Sequence, residues 1–333
     1  MDIFNVFSLL GGLAFFLYGM RILSGGLENL AGGRLESILR RMTGSSLGGL
    51  ALGIGVTAAI QSSSAVTVML VGLVNSGIMN ISQTVAVIMG SNIGTTVTAW
   101  LLSLSGLEGD NLIVRLLKPE SFAPLAAAAG FLLLSLSKRK GRRESGNALI
   151  GFAILMTGMS LMSDSVEPLS ELEGFREALL LFTNPIIGLI AGALFTAIIQ
   201  SSSASVGILQ ALSLTGRVSY GAAFPLILGQ NVGTCVTALI SSVGVSRNAR
   251  TVSVVHVLFN LIGALVGLAA LYIPNLFFDF AFFDQSADPL GIAITHTVFN
   301  VFSTLLLFPA QSLLVRLSER IVGASSRRVR DSG

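Results

Sequence analysis

Along this chain hydrophobic positions come in long runs. They cover residues 4–24, 46–76, 80–104, 122–137, 146–163, 185–215, 219–243, 251–273 and 290–314. A run of about 20 apolar residues has the length of a helix that crosses a bilayer, and the 122–137 run is somewhat short of it. Residues 27–43 alternate apolar and charged positions at helical spacing, which predicts an amphipathic helix lying at the membrane interface. Residues 164–184 read as an acidic, partly amphipathic connector, and Pro-Asn, Asp-Gln and Asp-Pro pairs mark 274–289 as a loop. Two runs carry polar residues at their centres: Gln61-Ser62-Ser63-Ser64-Ala65 and Gln200-Ser201-Ser202-Ser203-Ala204. Split at the serines, each half is about 15 residues, short of a span. A re-entrant helical hairpin is therefore predicted over 46–76 and again over 185–215.

Each hairpin precedes a second mixed stretch, Gly90-Ser91-Asn92-Ile93-Gly94-Thr95 or Gly229-Gln230-Asn231-Val232-Gly233-Thr234. Paired glycines beside Asn and Thr predict that the spans 80–104 and 219–243 are broken helices. One offset of 139 residues relates all these pairs, and also Gly53/Gly192, Thr57/Thr196, Gly77/Gly216 and Thr98/Thr237. Apolar composition alone would not hold Gln, Asn and Thr in register, so the chain is read as a duplication. Residues 1–145 form the first repeat, 146–316 the second with an extra span, and 317–333 a basic cytoplasmic tail. Three crossings in the first repeat (4–24, 80–104, 122–137) invert the second. With that topology sixteen of the twenty basic residues, all but Arg115, Lys118, Arg176 and Arg217, share one face. The positive-inside rule makes that face cytoplasmic and puts the N-terminus outside. The expected location is a bacterial plasma membrane, crossed several times.

Composition agrees. The chain is 52% hydrophobic and 11% charged, with a mean hydropathy of +0.81; soluble domains run at about 25% charged. The net charge of +3 gives no reason to expect nucleic acid. Cys235, the single cysteine, excludes an internal disulfide framework. Asp2 is the only charge before Arg21, so the basic region of a cleavable signal peptide is missing. Arg21 itself reads as a side chain snorkelling to the interface.

No Asp, Glu, Lys or Arg stands in the middle of a hairpin or broken span, which leaves hydroxyls, amides and backbone to do the chemistry. Four consecutive polar residues inside lipid imply a cavity or binding site. The free N–H groups of a half-helix favour an anion. Free carbonyls and the oxygens of Gln, Asn and Thr suit a small hard cation. Inverted repeats with a midplane site are the plan of secondary transporters.

The paired motifs resemble the type II sodium-dependent phosphate cotransporters (phosphate:sodium symporters), over about residues 5–315. The resemblance implies sodium-coupled uptake of inorganic phosphate by alternating access, with the lipid bilayer, phosphate and Na+ as partners and homo-oligomerisation left open. It puts phosphate on Ser62, Ser63, Ser64, Ser201, Ser202 and Ser203. Sodium falls on Gln61, Ser62, Asn92, Thr95, Gln200, Ser201, Asn231 and Thr234, with Gln230 standing where the first repeat has Ser91. Sulfate or arsenate is the alternative cargo, and a channel the alternative mode. An intramembrane serine hydrolase is disfavoured, because it would need one serine activated by a histidine, whereas the serine triplets are duplicated. His256 and His296, each opening a His-x-x-Phe-Asn sequence, read as packing residues. An uncharged cavity further implies near-electroneutral cotransport of two sodium ions with one divalent phosphate.

Overall fold

Capping residues set most helix boundaries. The structure, a computed structural model, describes residues 3–31, 45–107, 118–168 and 173–331. Its helices are α1 (Ile3–Ala31), α2 (Ser46–Ile60), α3 (Ser63–Asn75), α4 (Ile81–Ser103), α5 (Pro119–Leu136), α6 (Lys140–Val166) and α7 (Glu173–Leu181). They continue with α8 (Pro185–Ile199), α9 (Ser202–Ser213), α10 (Tyr220–Ser241), α11 (Arg247–Phe278), α12 (Pro289–Leu307) and α13 (Gln311–Asp331). Six of them, α1, α4, α6, α10, α11 and α12, are long and apolar enough to cross a membrane. Among the described residues there is no strand, only an isolated bridge between Ser219 and Ser286. Large apolar side chains such as Leu136, Ile198, Leu276 and Phe277 stand exposed. That surface suits lipid rather than water. The chain is an all-α integral membrane protein.

Both polar pentapeptides interrupt their runs as expected. α2 and α8 are each 15 residues, about 22 Å at 1.5 Å per residue and short of the roughly 30 Å of a hydrocarbon core. Each ends on a glutamine in the left-handed region, Gln61 at φ 58° and Gln200 at φ 60°. The glutamine amides donate to the carbonyls of Thr57 and Thr196, both at 2.7 Å. The next residue is extended and caps the following helix: Ser62 Oγ accepts from the Ala65 amide and Ser201 Oγ from the Ala204 amide, both at 3.2 Å. One left-handed and one extended residue thus reverse the chain without Gly or Pro.

The spans after the hairpins are not broken, which corrects the expectation. α4 and α10 remain helical through Gly90–Thr95 and Gly229–Thr234. Their glycines serve contact instead. A Cβ on Gly90 would strike the Leu50 carbonyl, and one on Gly94 the Ile54 carbonyl; Gly229 meets Leu189 and Gly233 meets Ala193 in the same way. Continuous helices keep every backbone group paired where no water can replace a partner, and glycine lets the neighbouring helix approach to backbone distance. Because residue 50 meets 90 and 54 meets 94, α2 and α4 run parallel and start at the same end of the molecule. That is the geometry a returning α3 requires.

α1 and α6 pack antiparallel through a glycine seam. Gly12 lies against the Gly158 carbonyl, and Gly19 against the Gly151 carbonyl. Gly12 and Gly151 are equivalent at the 139-residue offset, as are Gly19 and Gly158. The same two positions of each half therefore meet reciprocally.

Other bounds differ from the sequence reading. Residues 27–31 continue α1, and the rest of the interfacial helix expected over 27–43 lies outside the described residues. α6 begins inside the basic cluster, so Lys140, Arg142 and Arg143 belong to its first turns. α13 takes the end of the expected last span and most of the 317–333 tail.

Candidate functional site

The two tips open onto one cavity of about 580 Å³. Gln61–Ser64 line it from one hairpin and Gln200–Ala204 from the other, together with Ile198 and Ile199. The N-terminal turns of α3 and α9 thus end at the same space, each with the partial positive charge of an uncompleted helix end. Ser63 and Ser202 are each 5% exposed. Among the described residues the hydroxyls of Ser63, Ser64 and Ser202 have no hydrogen-bond partner. All six serines read as anion ligands are therefore brought together, and so are Gln61 and Gln200.

The remaining sodium-ligand candidates are not in this cavity. Asn92, Thr95, Gln230, Asn231 and Thr234 are buried in α4 and α10. Thr95 and Thr234 donate to the carbonyls of Ser91 and Gln230 one turn back, at 3.0 and 2.9 Å. Asn92 Nδ2 donates to Asn260 Oδ1 at 2.6 Å, tying α4 to α11, while Asn231 Nδ2 reaches only its own helix, the Ile227 carbonyl at 3.5 Å. The substitution of Gln230 for Ser91 has a local counterpart. Thr57 Oγ1 donates to Ser91 at 3.0 Å in the first half. In the second half Thr196 Oγ1 donates to Ser205 at 2.8 Å, and Gln230 Nε2 donates to the Ser205 carbonyl at 3.2 Å.

The tips are held unequally. Thr98 Oγ1 donates to Gln61 Oε1 at 2.5 Å and accepts from Ser203 Oγ at 3.4 Å, so one α4 residue touches both tips. Its counterpart Thr237 has a buried Oγ1 without a partner among the described residues. Gln200 is exposed to the cavity, whereas Gln61 is 9% exposed.

Sequence reasoning missed the contribution of α1. Leu17, Met20, Arg21 and Ser24 recur at helical spacing along one face and form a cavity wall. Arg21 is thus in the cavity lining, not simply at an interface, and the expectation of a cavity without fixed charge is corrected. The available signal was an arginine within an apolar run, near its end, with no carboxylate within a turn of it. The two histidines, by contrast, do not line the cavity. Both rings are buried, and their carbonyls accept from Asn260 at 3.0 Å and Asn300 at 2.8 Å.

Comparison with known proteins adds the family. The Na+/Pi-cotransporter family model matches twice, over residues 15–164 and 155–283. The uncharacterized protein YqeW of Bacillus subtilis is 31% identical over 315 residues, covering 94% of this chain and 96% of that protein. YjbB of Salmonella typhimurium, provisionally named an inorganic phosphate export protein, is 26% identical over 320 residues, covering 94% of this chain and 55% of that one. The chain spans about half the length of these export-named relatives. Sodium-dependent phosphate transport protein 2A of Rattus norvegicus is 37% identical over 99 residues, covering 29% of this chain and 15% of that protein. No solved structure matches. A model covering most of the chain in two consecutive passes leaves one assignment: the chain belongs to the Na+/Pi-cotransporter family.

Proposed function

We propose that this protein is a secondary active transporter that moves inorganic phosphate together with sodium ions by alternating access. The observation that carries the reading is the convergence of both Gln-Ser-Ser-Ser tips, with two helix N-termini and six serines, on one cavity. An anion of phosphate size gains hydroxyl and amide donors there. The sodium ligands are the Gln, Asn and Thr oxygens beside the tips. Several lie outside the cavity in this conformation, so cation binding draws α4 and α10 towards the tips. The two halves act as inverted repeats, an arrangement supported by the reciprocal α1–α6 seam and the double family match. The protein sits in the plasma membrane with its N-terminus outside and its C-terminus cytoplasmic. It is not read as an enzyme: a serine hydrolase needs an imidazole at its serine, and His256 and His296 lie off the cavity. The two-sodium expectation drew on an uncharged cavity and is not carried forward.

The direction of net flux is the second question. Uptake follows the inward sodium gradient; outward movement is the reading that the name of the Salmonella typhimurium relative favours. Purified protein in proteoliposomes, assayed with radiolabelled phosphate under inward and outward sodium gradients, tests both. Saturable accumulation that follows the sodium gradient is expected. Flux that neither saturates nor needs the gradient would identify a channel, and flux in the absence of sodium would remove the coupling. Competition by sulfate and arsenate ranks the cargo.

A further inference from the structure

We infer that Arg21 is the fixed cation of the anion site, and that it selects the doubly charged form of the anion before the serine tips enclose it. This rests on the transport reading above and adds to the site a residue outside both repeated motifs.

Arg21 stands three residues before the end of the apolar run 4–24, on an exposed position of α1. A charged side chain there snorkels to the interface, faces a water-filled space or meets a partner of opposite charge. Among the described residues Arg21 has no hydrogen-bond or ion-pair partner. The nearest carboxylate along its own helix, Glu28, is two turns away. Its surroundings are the cavity lined by Ser62–Ser64 and Ser201–Ser203. Among the cavity-lining residues Arg21 is the only charged one.

The remaining donors are neutral: serine hydroxyls and the free amides of α3 and α9. Neutral donors distinguish a singly from a doubly charged phosphate weakly. A guanidinium distinguishes them by charge, and it offers a planar pair of N–H groups that match two oxygens of a tetrahedral oxyanion. Position suits a capture role. The seam holds α1 to α6 by backbone contact, so Arg21 is carried on a helix separate from both hairpins. An anion bridging Arg21 and the tips would be passed from a fixed wall to hairpins that close on it. In the second half Ser160 occupies the equivalent position, so the cation is present once, on one side of a duplicated site.

Two measurements on wild type, Arg21→Gln and Arg21→Lys test this. The first is equilibrium binding of radiolabelled phosphate to purified protein at saturating sodium, at pH 6 and pH 8. The second is sodium-driven uptake in proteoliposomes. Arg21→Gln is expected to weaken phosphate binding about tenfold or more, the effect of losing a charged hydrogen bond. It should also flatten the pH dependence that wild type shows, with tighter binding at pH 8. Arg21→Lys should restore the pH dependence and most of the affinity. Unchanged binding in Arg21→Gln would overturn the assignment, as would a pH dependence identical to wild type. Equal loss in both variants would overturn it too, by marking a structural defect. Wild-type binding without sodium-driven uptake would sink the transport reading and leave the Arg21 comparison readable. Absence of wild-type binding would sink both.

Discussion

At the scale of single residues the tips combine strain with service. Gln61 and Gln200 hold positive φ without being glycine, a conformation that costs about 1–2 kcal/mol. The left-handed turn lets the chain reverse in two residues, and the side chain remains at the cavity. The serines that follow divide their work. Ser62 and Ser201 cap helices, whereas Ser63 and Ser202 keep their hydroxyls free. Ser63→Ala and Ser202→Ala should therefore fold normally and each weaken phosphate binding. The loss of one neutral donor is worth on the order of 1–3 kcal/mol, or roughly 5- to 150-fold in affinity. Ser135→Ala, on the exposed face of α5, should leave uptake within about twofold of wild type. Titrating phosphate uptake in proteoliposomes compares the three, and normal affinity in both tip variants would move the anion site elsewhere.

At the scale of elements the glycines decide how the hairpins sit. Gly90 and Gly229 each face a backbone carbonyl across the helix pair, while Gly55 faces open space. Alanine at Gly90 or Gly229 should lower the melting temperature and the yield of monodisperse protein, because a close-packed seam resists even one methyl group at about 1–3 kcal/mol. Gly55→Ala should be neutral or slightly stabilising, as an alanine within a helix usually is. Thermal unfolding monitored by size-exclusion fluorescence checks the set. These same glycines mark the limit of what the sequence reveals. The hairpins were legible because four polar residues inside an apolar run have few physical explanations. The state of 80–104 and 219–243 was not, since glycine permits both unwinding and close approach, and only the neighbour at Leu50 or Leu189 decides between them. Arg21 was hidden for a related reason. Whether an arginine in an apolar helix reaches an interface or a cavity depends on which helices flank it, and that information is not local. The serines could be assigned to one site from their repetition, but the separation of Asn92 and Thr95 from that site depends on the pairing of α4 with α11.

At the scale of the whole molecule, the parallel α2–α4 pair, its α8–α10 counterpart and the antiparallel α1–α6 seam support one inverted-repeat topology. Cysteines at Ser105 and Gly141 should react with an impermeant maleimide from opposite faces of right-side-out vesicles. Gly141 has open space around its Cα, and the native Cys235, 2% exposed, should stay silent. Labelling of both sites from one face would remove the inversion. A twofold arrangement of this kind would make the two orientations of a carrier equivalent if every contact obeyed it. The Thr98 bonds do not: Gln61 is fastened and Gln200 is loose. A small inequality of this kind decides where an empty carrier waits. If the unloaded protein leans to one side, the slow step of one-way flow is its return without cargo. Trading one phosphate for another across the membrane avoids that return. On the transport reading proposed above, the fastened tip would make the molecule a better exchanger than a pump at the same phosphate concentration.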